Sequence, residues 1–541
     1  MRPITRPVDR LAVRGPTIWV ARAPNGHNVR VHDRAGRLVL TEDEVRAAEA
    51  ARDATAVGAD APSRVESRRW RPGRLFLVLL VLTFALRIPA FVVDVFNSDE
   101  TFLATQAQVL NHGGRLYTDA VDRKPPLVPY VYAATFKLFR TTELWSVRVV
   151  AMLAVALTGL LLAMEARRRW GNRAGWIAGV LFVLSSIAFA PQDGQAANFE
   201  IFMLPAMCAA ILLAREGRGL GAGVSLALAT LAKQTAAVAL LPVLYLISKA
   251  RSRRGMRETV AGFTLPIAIV ALLVGPGELL FWAVLGNGSY LSVRDASSFF
   301  VLRFVEKTAA FVAANIAILW LLPRAWRRRR EDADLWLWLL SSCVAVAVGF
   351  RFFGHYYLQL LPPLCLLTAG TVVRLRREFL LTTLVVATAV AVNFSISGFF
   401  ATSEPPYKTV SRYVARHSGD GDRIFVWGHV PEIYWASGRA PATRFPTTTF
   451  LTGYQGGRPP KEVSADQATP GAWDEFVQDF NNHPPRFVVD TSPAHIRGSE
   501  FYPMSKFPRV AELVRRDYRY VRSIDAIAIY ERRPHPTRRA M

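Results

Sequence analysis

Asn97-Ser98-Asp99-Glu100 and, further on, Asp122-Arg123-Lys124-Pro125-Pro126-Leu127 bracket a polar loop just past the apolar run 75–93. Two adjacent acids thus stand at the exit of a hydrophobic span, and a basic pair follows, set against a double proline. Carboxylates held at a membrane surface beside fixed cations suit one task well. They can deprotonate an acceptor hydroxyl while the cations hold a lipid phosphate. That reading requires a membrane, and the rest of the chain supplies one.

The 541 residues are 51% hydrophobic yet carry a net charge of +24, with a mean hydropathy of +0.20. Apolar stretches of roughly 17–25 residues, the length that crosses a hydrocarbon core, recur along the chain, which predicts a polytopic α-helical membrane protein. The arginines fall in short loops between these stretches rather than in a patch with interleaved aromatics, so no nucleic-acid partner is expected. Only eight of the 66 basic residues are lysines, which points to a GC-rich genome. Cys208, Cys343 and Cys365 all lie in apolar spans and read as small core residues, not as a disulfide framework or metal cage.

Residues 1–73 read as a cytoplasmic appendage and linker. They supply no apolar signal-peptide region. Thr17 to Leu40 alternates like strands around a Pro24-Asn25-Gly26 turn, Thr41-Glu42-Asp43-Glu44 opens a short helix, and 54–67 is linker-like.

Spans are expected near 75–93, 147–165, 174–190, 199–214, 220–248, 259–274, 308–323, 335–350, 356–373 and 379–399. Loops at 68–74, 167–173, 215–218, 249–257, 324–330 and 374–377 are basic and are assigned to the cytoplasm. Loops 94–146, 191–198, 275–306 and 351–355 are assigned outside. The segment 220–248 is flanked by basic loops at both ends. Two half-helices meeting near Lys233-Gln234 resolve this as a hairpin that enters and leaves on the cytoplasmic side, giving about eleven helices. Both the Asp99 loop and everything after 400 then lie outside, where no nucleotide sugar is available. A sugar donor working there would be lipid-linked.

The Asp-Glu pair and the Lys-Pro-Pro-Leu element resemble the first external loop of GT-C superfamily glycosyltransferases. The likeness is to the protein mannosyltransferase and aminoarabinose-transferase group (glycosyltransferase family 39, with its lipopolysaccharide galacturonosyltransferase-like members). It covers roughly 75–250 by motif and extends to about 400 by topology. It implies a GT-C transmembrane catalytic domain over 74–400 and an inverting single displacement from a polyprenyl-phosphate sugar. The acceptor would be a cell-envelope glycan, lipid or protein, and the setting a bacterial cytoplasmic membrane with the site facing out.

Ser98 is the expected N-cap of a helix whose first residues are Asp99 and Glu100, the candidate catalytic acids. The helix dipole favours their anionic form there. Phe102, Leu103, Gln106, Val109 and Leu110 would lay that helix in the membrane interface. Lys124 and Arg123, stiffened by Pro125-Pro126, are the candidate donor-phosphate ligands, and Leu127 to Phe139 is a second interfacial helix. Some relatives carry a metal-holding acid directly before this lysine. That place is Arg123 here, so no metal ligand is carried over, and a divalent metal elsewhere stays open.

Glu200 opens the next span after an external loop, and Lys233 sits at the hairpin tip; both are expected to orient substrate. Arg351 and His355, in Arg351-Phe352-Phe353-Gly354-His355-Tyr356-Tyr357, are further candidates for the donor phosphate. Tyr356 and Tyr357 themselves read as aromatic belt.

Residues 401–541 change to prolines, polar residues and short alternating elements, which predicts a small extracytoplasmic α/β domain. Its expected elements are helices at 407–417, around 476–480 and at 509–516, strands at 423–427 and 486–490, and a two-stranded ending over 518–530. Its aromatic- and arginine-rich portion, Trp427 to Tyr454, reads as scaffold over the membrane core, with contact to an acceptor glycan as the alternative. The rival function is a transporter or flippase of lipid-linked sugars. That class favours repeated halves and acids near the bilayer midplane, whereas here no halves match and the acids gather at one face.

Overall fold

The computed structural model describes residues 70–287, 297–399, 405–454 and 463–534, together with four strands nearer the N-terminus. The chain divides into two compact units, Met1–Trp70 and Arg71–Met541. In the first, β1 (Arg10–Leu11), β2 (Ile18–Arg22), β3 (Val29–Asp33) and β4 (Gly36–Val39) form an antiparallel sheet in that order. The expected Pro24-Asn25-Gly26 turn, the Thr41 helix and the 54–67 linker lie outside the described residues.

The second unit is mostly helical, with a sheet near its C-terminal end. Each expected span coincides with a helix or a broken pair. Among the described residues, Leu144–Trp170 and Arg253–Val274 are long and apolar enough on their own to cross a membrane. A third crossing exists if Phe299–Ala314 and Ile316–Trp326, bent by 77°, form one broken span.

The segment after Arg218 breaks where its charges predict. The Gly219–Ala232 helix ends at Lys233, whose backbone is extended (φ −155°, ψ 126°), and a 3-10 turn leads into the Leu240–Lys249 helix. A Cβ added at Gly219 would overlap the Gly255 carbonyl, and one at Gly223 the Thr259 carbonyl. Small residues thus let this helix and Arg253–Val274 touch backbone to backbone. Because Gly255 follows Lys249 by one short turn, residues 219–249 return to the end at which they began. The tip, Lys233, meets Glu200 at the start of the Phe199–Arg215 helix.

The C-terminal sheet runs β6-β5-β7-β9-β8, with β5 Arg423–Trp427, β6 Ala440–Pro441, β7 Phe487–Asp490, β8 Tyr518–Ile524 and β9 Ile527–Arg532. β6, β5 and β7 are parallel, while β9 runs antiparallel to β7 and β8 to β9. Successive residues point to opposite faces, as a strand requires. Ile424 and Val426 enter a core with Tyr407, Val410 and Ile433. Phe425 and Trp427 enter another with Phe450, Phe476 and Phe480. That second core also contains Phe102, Leu116, Tyr117 and Val121 of the loop between 94 and 146. The C-terminal segment and the Asp99 loop therefore share one apolar interior.

This sharing corrects the expectation of an interfacial helix. The helix runs Ser98–Asn111, and Glu100 through Ala107 are buried on every side. Its N-cap is Asn97, whose side-chain oxygen accepts from the Asp99 N–H at 2.9 Å.

Candidate active site

The helix start turns Asp99 and Glu100 to different surroundings. Asp99 Oδ2 meets Lys124 Nζ at 3.1 Å, with both side chains about a quarter exposed (24% and 22%). The lysine also stands 3.9 Å over the Phe199 ring. Its backbone is fixed from two sides. The buried Tyr117 hydroxyl donates to the Lys124 carbonyl at 2.8 Å, and Gln234 Nε2, beside the hairpin tip, donates to the Arg123 carbonyl at 3.0 Å. Burial alone would raise the Asp99 carboxyl. Lys124 first, and His355 after it, outweigh it and hold the group well below the usual carboxylate range.

Glu100, expected as a second catalytic acid, is fully buried and occupied. It accepts from Arg148 Nε and Nη2 at 2.9 and 2.7 Å, from the Ala197 N–H at 2.9 Å and from the Phe96 N–H at 3.3 Å. The remaining Arg148 donors bind the carbonyls of Ala90, Val93 and Asp94. Every N–H of the guanidinium is thereby used, and the turn leading into the helix is clamped to Glu100. Both Glu100 oxygens are engaged by protein donors, which leaves Asp99 the more open of the two acids.

Arg123 also departs from expectation. Its guanidinium stacks 4.2 Å over the Phe450 ring and Nη2 reaches Thr469 Oγ1 at 3.4 Å, both in the C-terminal segment. Lys124 faces the acid while Arg123 grips the domain above.

Glu200 and Lys233 form a buried ion pair, with the Lys233 ammonium 3.9 Å over the Tyr356 ring. Tyr356, read from sequence as aromatic belt, is a buried lid on that charge. His355 Nδ1 lies 2.9 Å from Asp193 Oδ1, and the same oxygen accepts from Asn97 Nδ2 at 2.8 Å. A Cβ at Gly354 would overlap Asp193, so only glycine permits this approach. Asn97 thus links three loops, reaching the Asp99 backbone on one side and, through Asp193, His355 on the other. Arg351 is buried, with its guanidinium 5.5 Å from the Phe300 ring centre.

Sequence reasoning missed Asp122, Arg148, Asp193 and His429. Asp122 is buried and pushed up to about 6, by burial first and by Asp99 as well, against Lys124 and Arg123. His429 follows β5, and its Nε2 lies 3.3 Å from Ser98 Oγ, next to Asp99. Asp193 was within reach of a reading, since it sits in a short external loop rich in hydrogen-bonding residues. His429 lies more than three hundred residues from Ser98; the segment Trp427 to Tyr454 stands out for its aromatics and arginines, and nothing in it marks this histidine. Among the described residues, no three His, Cys, Asp or Glu side chains converge as a metal cage.

The Asp99–Lys124 and Glu200–Lys233 pairs thus gather near the contact between the helices and the C-terminal sheet segment, and comparison with known proteins shows which folds share that arrangement of chain. Residues 123–276 match the family model described as dolichyl-phosphate-mannose-protein mannosyltransferase. That stretch contains Lys124, Glu200 and Lys233 and begins after Asp99. The crystal structure of ArnT from Cupriavidus metallidurans bound to undecaprenyl phosphate superposes with a TM-score of 0.58 at 14% identity, covering 85% of this chain and 97% of that one. Its apo form gives the same values. The Archaeoglobus fulgidus oligosaccharyltransferase in complex with Zn and sulfate superposes with a TM-score of 0.50 at 11% identity, covering 85% and 73%. No curated protein matches the sequence. The likeness first seen in the Asp-Glu and Lys-Pro-Pro-Leu elements is matched over 123–276 by the family model and along most of the chain by the fold of ArnT, both consistent with the GT-C superfamily.

Proposed function

We propose that the protein is a membrane glycosyltransferase that moves a sugar from a polyprenyl-phosphate donor to an acceptor hydroxyl of the cell envelope. It would act at the outer face of a bacterial cytoplasmic membrane, on about eleven membrane helices capped by an α/β domain over 401–541. The observation that carries this reading is the Asp99–Lys124 contact at 3.1 Å, an acid and a cation brought together from the two ends of one loop. ArnT binds undecaprenyl phosphate in a related fold, which supports a lipid-phosphate donor here.

The chemistry follows from the pair. Without substrate, Lys124 keeps Asp99 ionised but weakly basic. A donor phosphate recruits the ammonium, and Asp99, losing its strongest stabilising partner, becomes more basic at the moment an acceptor hydroxyl needs a base. In one displacement the acceptor oxygen attacks the anomeric carbon, its proton passes to Asp99, and the C–O bond to the lipid phosphate breaks. The phosphate leaves as an anion against Lys124, with inversion at that carbon. Glu200, Lys233, His355 and Arg351 are the candidate groups around sugar and phosphate.

The test is transfer from polyprenyl-phosphate sugars by purified protein in lipid. Asp99→Asn should abolish transfer while undecaprenyl phosphate still binds. Lys124→Ala should depress turnover by roughly 2–4 kcal/mol, the size of one charge-assisted contact that tightens in the transition state. Normal turnover in both variants refutes the assignment. Movement of intact lipid-linked sugar across the bilayer, without bond cleavage, would establish the flippase instead.

A further inference from the structure

β5 ends at Trp427, and the next three residues cross from the C-terminal sheet towards the Asp99 helix. Gly428 makes the turn with φ +141°, where an added Cβ would overlap Thr491 Oγ1. Thr491 is itself tied to Trp427, its N–H and hydroxyl donating to the Trp427 carbonyl at 3.0 and 2.9 Å. On the other side Arg497 Nη1 donates to the His429 carbonyl at 2.8 Å, and the same guanidinium is paired with the buried Glu432. The His429 backbone is therefore held firmly, whereas its ring is not. Nε2 reaches Ser98 Oγ only at 3.3 Å, long for a contact between a hydroxyl and an imidazole nitrogen. Nδ1 is enclosed without a hydrogen-bond partner among the described residues. A polar ring fixed by its backbone, loosely bonded at one nitrogen and unbonded at the other, calls for an explanation. Its place at the carboxyl end of a parallel strand is where open α/β sheets commonly receive ligands.

We infer that His429 is the acceptor-binding residue that the C-terminal domain contributes to the catalytic centre, hydrogen-bonding a hydroxyl of a polyol acceptor beside Asp99. This rests on the glycosyl-transfer reading and adds to it a side: Lys124 takes the donor, His429 the acceptor. The imidazole is neutral in this setting. Burial first, then Arg497 and Lys124, press its pKa down to about 4, against the pull of Asp99 and Glu432. A neutral ring offers one donor and one acceptor, which suits a sugar hydroxyl and adds no charge to compete with Lys124 for phosphate. The loose Ser98 contact is the one that an incoming hydroxyl replaces, as contacts in a substrate-free site often tighten only on binding.

The experiment uses the full chain in lipid, the polyprenyl-phosphate sugars extracted from a deletion strain as donor, the glycan fraction of that strain's cell envelope as acceptor, and undecaprenyl phosphate as a separate probe of donor-side binding. His429→Phe keeps the ring's shape and removes both nitrogens. It should raise the half-saturating amount of acceptor about five- to tenfold, the loss expected for one neutral hydrogen bond. Undecaprenyl phosphate affinity should stay as in the parent. His429→Gln should recover part of the acceptor affinity, which also decides the matter if the phenylalanine variant does not fold. Unchanged acceptor saturation in both variants, or an equal weakening of undecaprenyl phosphate, overturns the inference and leaves the functional reading standing. Absence of any transfer by the parent protein overturns that reading, and this inference with it.

Discussion

Asp99 and Glu100 point about 100° apart on one helix, and the two carboxylates meet different worlds. One reaches a cation at a partly open surface; the other is enclosed by a guanidinium and two backbone N–H groups. Glu100→Gln leaves Arg148 buried without its counter-charge. It should cost about 3–5 kcal/mol, seen as a large drop in melting temperature, whereas Asp99→Asn should melt close to the parent. Equal melting of both variants would remove the division of roles. Asp122 gives a pH-dependent case. Its carboxyl rises from 3.8 to about 6 in the fold, so the folded state holds a proton that the unfolded chain releases between those values. Stability therefore falls as pH rises through that window, then stays lower by about 3 kcal/mol. Asp122→Asn should melt like the parent near pH 4 and above it at pH 7.5; a gain equal at both pH values would exclude this account. The Asp99–Lys124 partnership was legible because both groups stand in motifs of one loop. Arg148 was not, because an arginine at the start of an apolar run looks like a snorkelling cation until the carbonyls of 90–94 are folded around it.

Segment 219–249 shows what charge patterning reveals about an element and where it stops. Basic loops at both ends predict an even number of crossings, and the structure breaks the segment at Lys233, where the two half-helices are expected to meet. What lies opposite Lys233 did not follow, since Glu200 belongs to another helix. As a buried pair, each charge protects the other. Glu200→Gln or Lys233→Met alone should destabilise by about 3–5 kcal/mol, while the double substitution should be milder than either. A stable but inactive double variant would support the substrate-orienting role; additive destabilisation would show that the two charges are not coupled. Gly223→Leu tests the support beneath, where the side chain would enter the Thr259 backbone. It should lower folded yield rather than change acceptor or donor affinity selectively. The Ser98–Asn111 helix misled for a different physical reason. Thr101 and Thr105 bond to carbonyls of their own helix, and Gln106 Nε2 donates to the Val121 carbonyl. Each of these polar side chains makes a hydrogen bond while buried, so a pattern that reads as half-exposed folds with Glu100 to Ala107 enclosed.

The way the helical bundle and the C-terminal segment meet constrains which parts of the chain share a side of the membrane, while loop charges alone bear on which side that is. Phe102, Leu116, Tyr117 and Val121 share an apolar core with Phe425, Trp427 and Phe450. The Val121 N–H donates to the Arg444 carbonyl at 2.9 Å, Trp435 Nε1 donates to the Thr142 carbonyl at 2.8 Å, and Lys408 pairs with Asp94. A hydrocarbon core cannot separate groups so joined, so the Asp99 loop and the sheet lie on one side of the membrane, whichever side that is. Removing residues from 405 onward would expose those loop aromatics and strip Arg123 of Phe450, so the truncated chain should lose transfer and aggregate. Single cysteines at Thr118 and Ala465, both exposed, then separate two questions. Cys208 and Cys365 are buried, and Cys343, which is exposed, should be replaced to remove background. A membrane-impermeant maleimide should label both new positions on intact cells. Labelling of both only after permeabilisation would keep the shared core and reverse the orientation, and with it the case for a lipid-linked donor. Labelling of one without the other would break the shared core itself, and the contact between His429 and Ser98 with it.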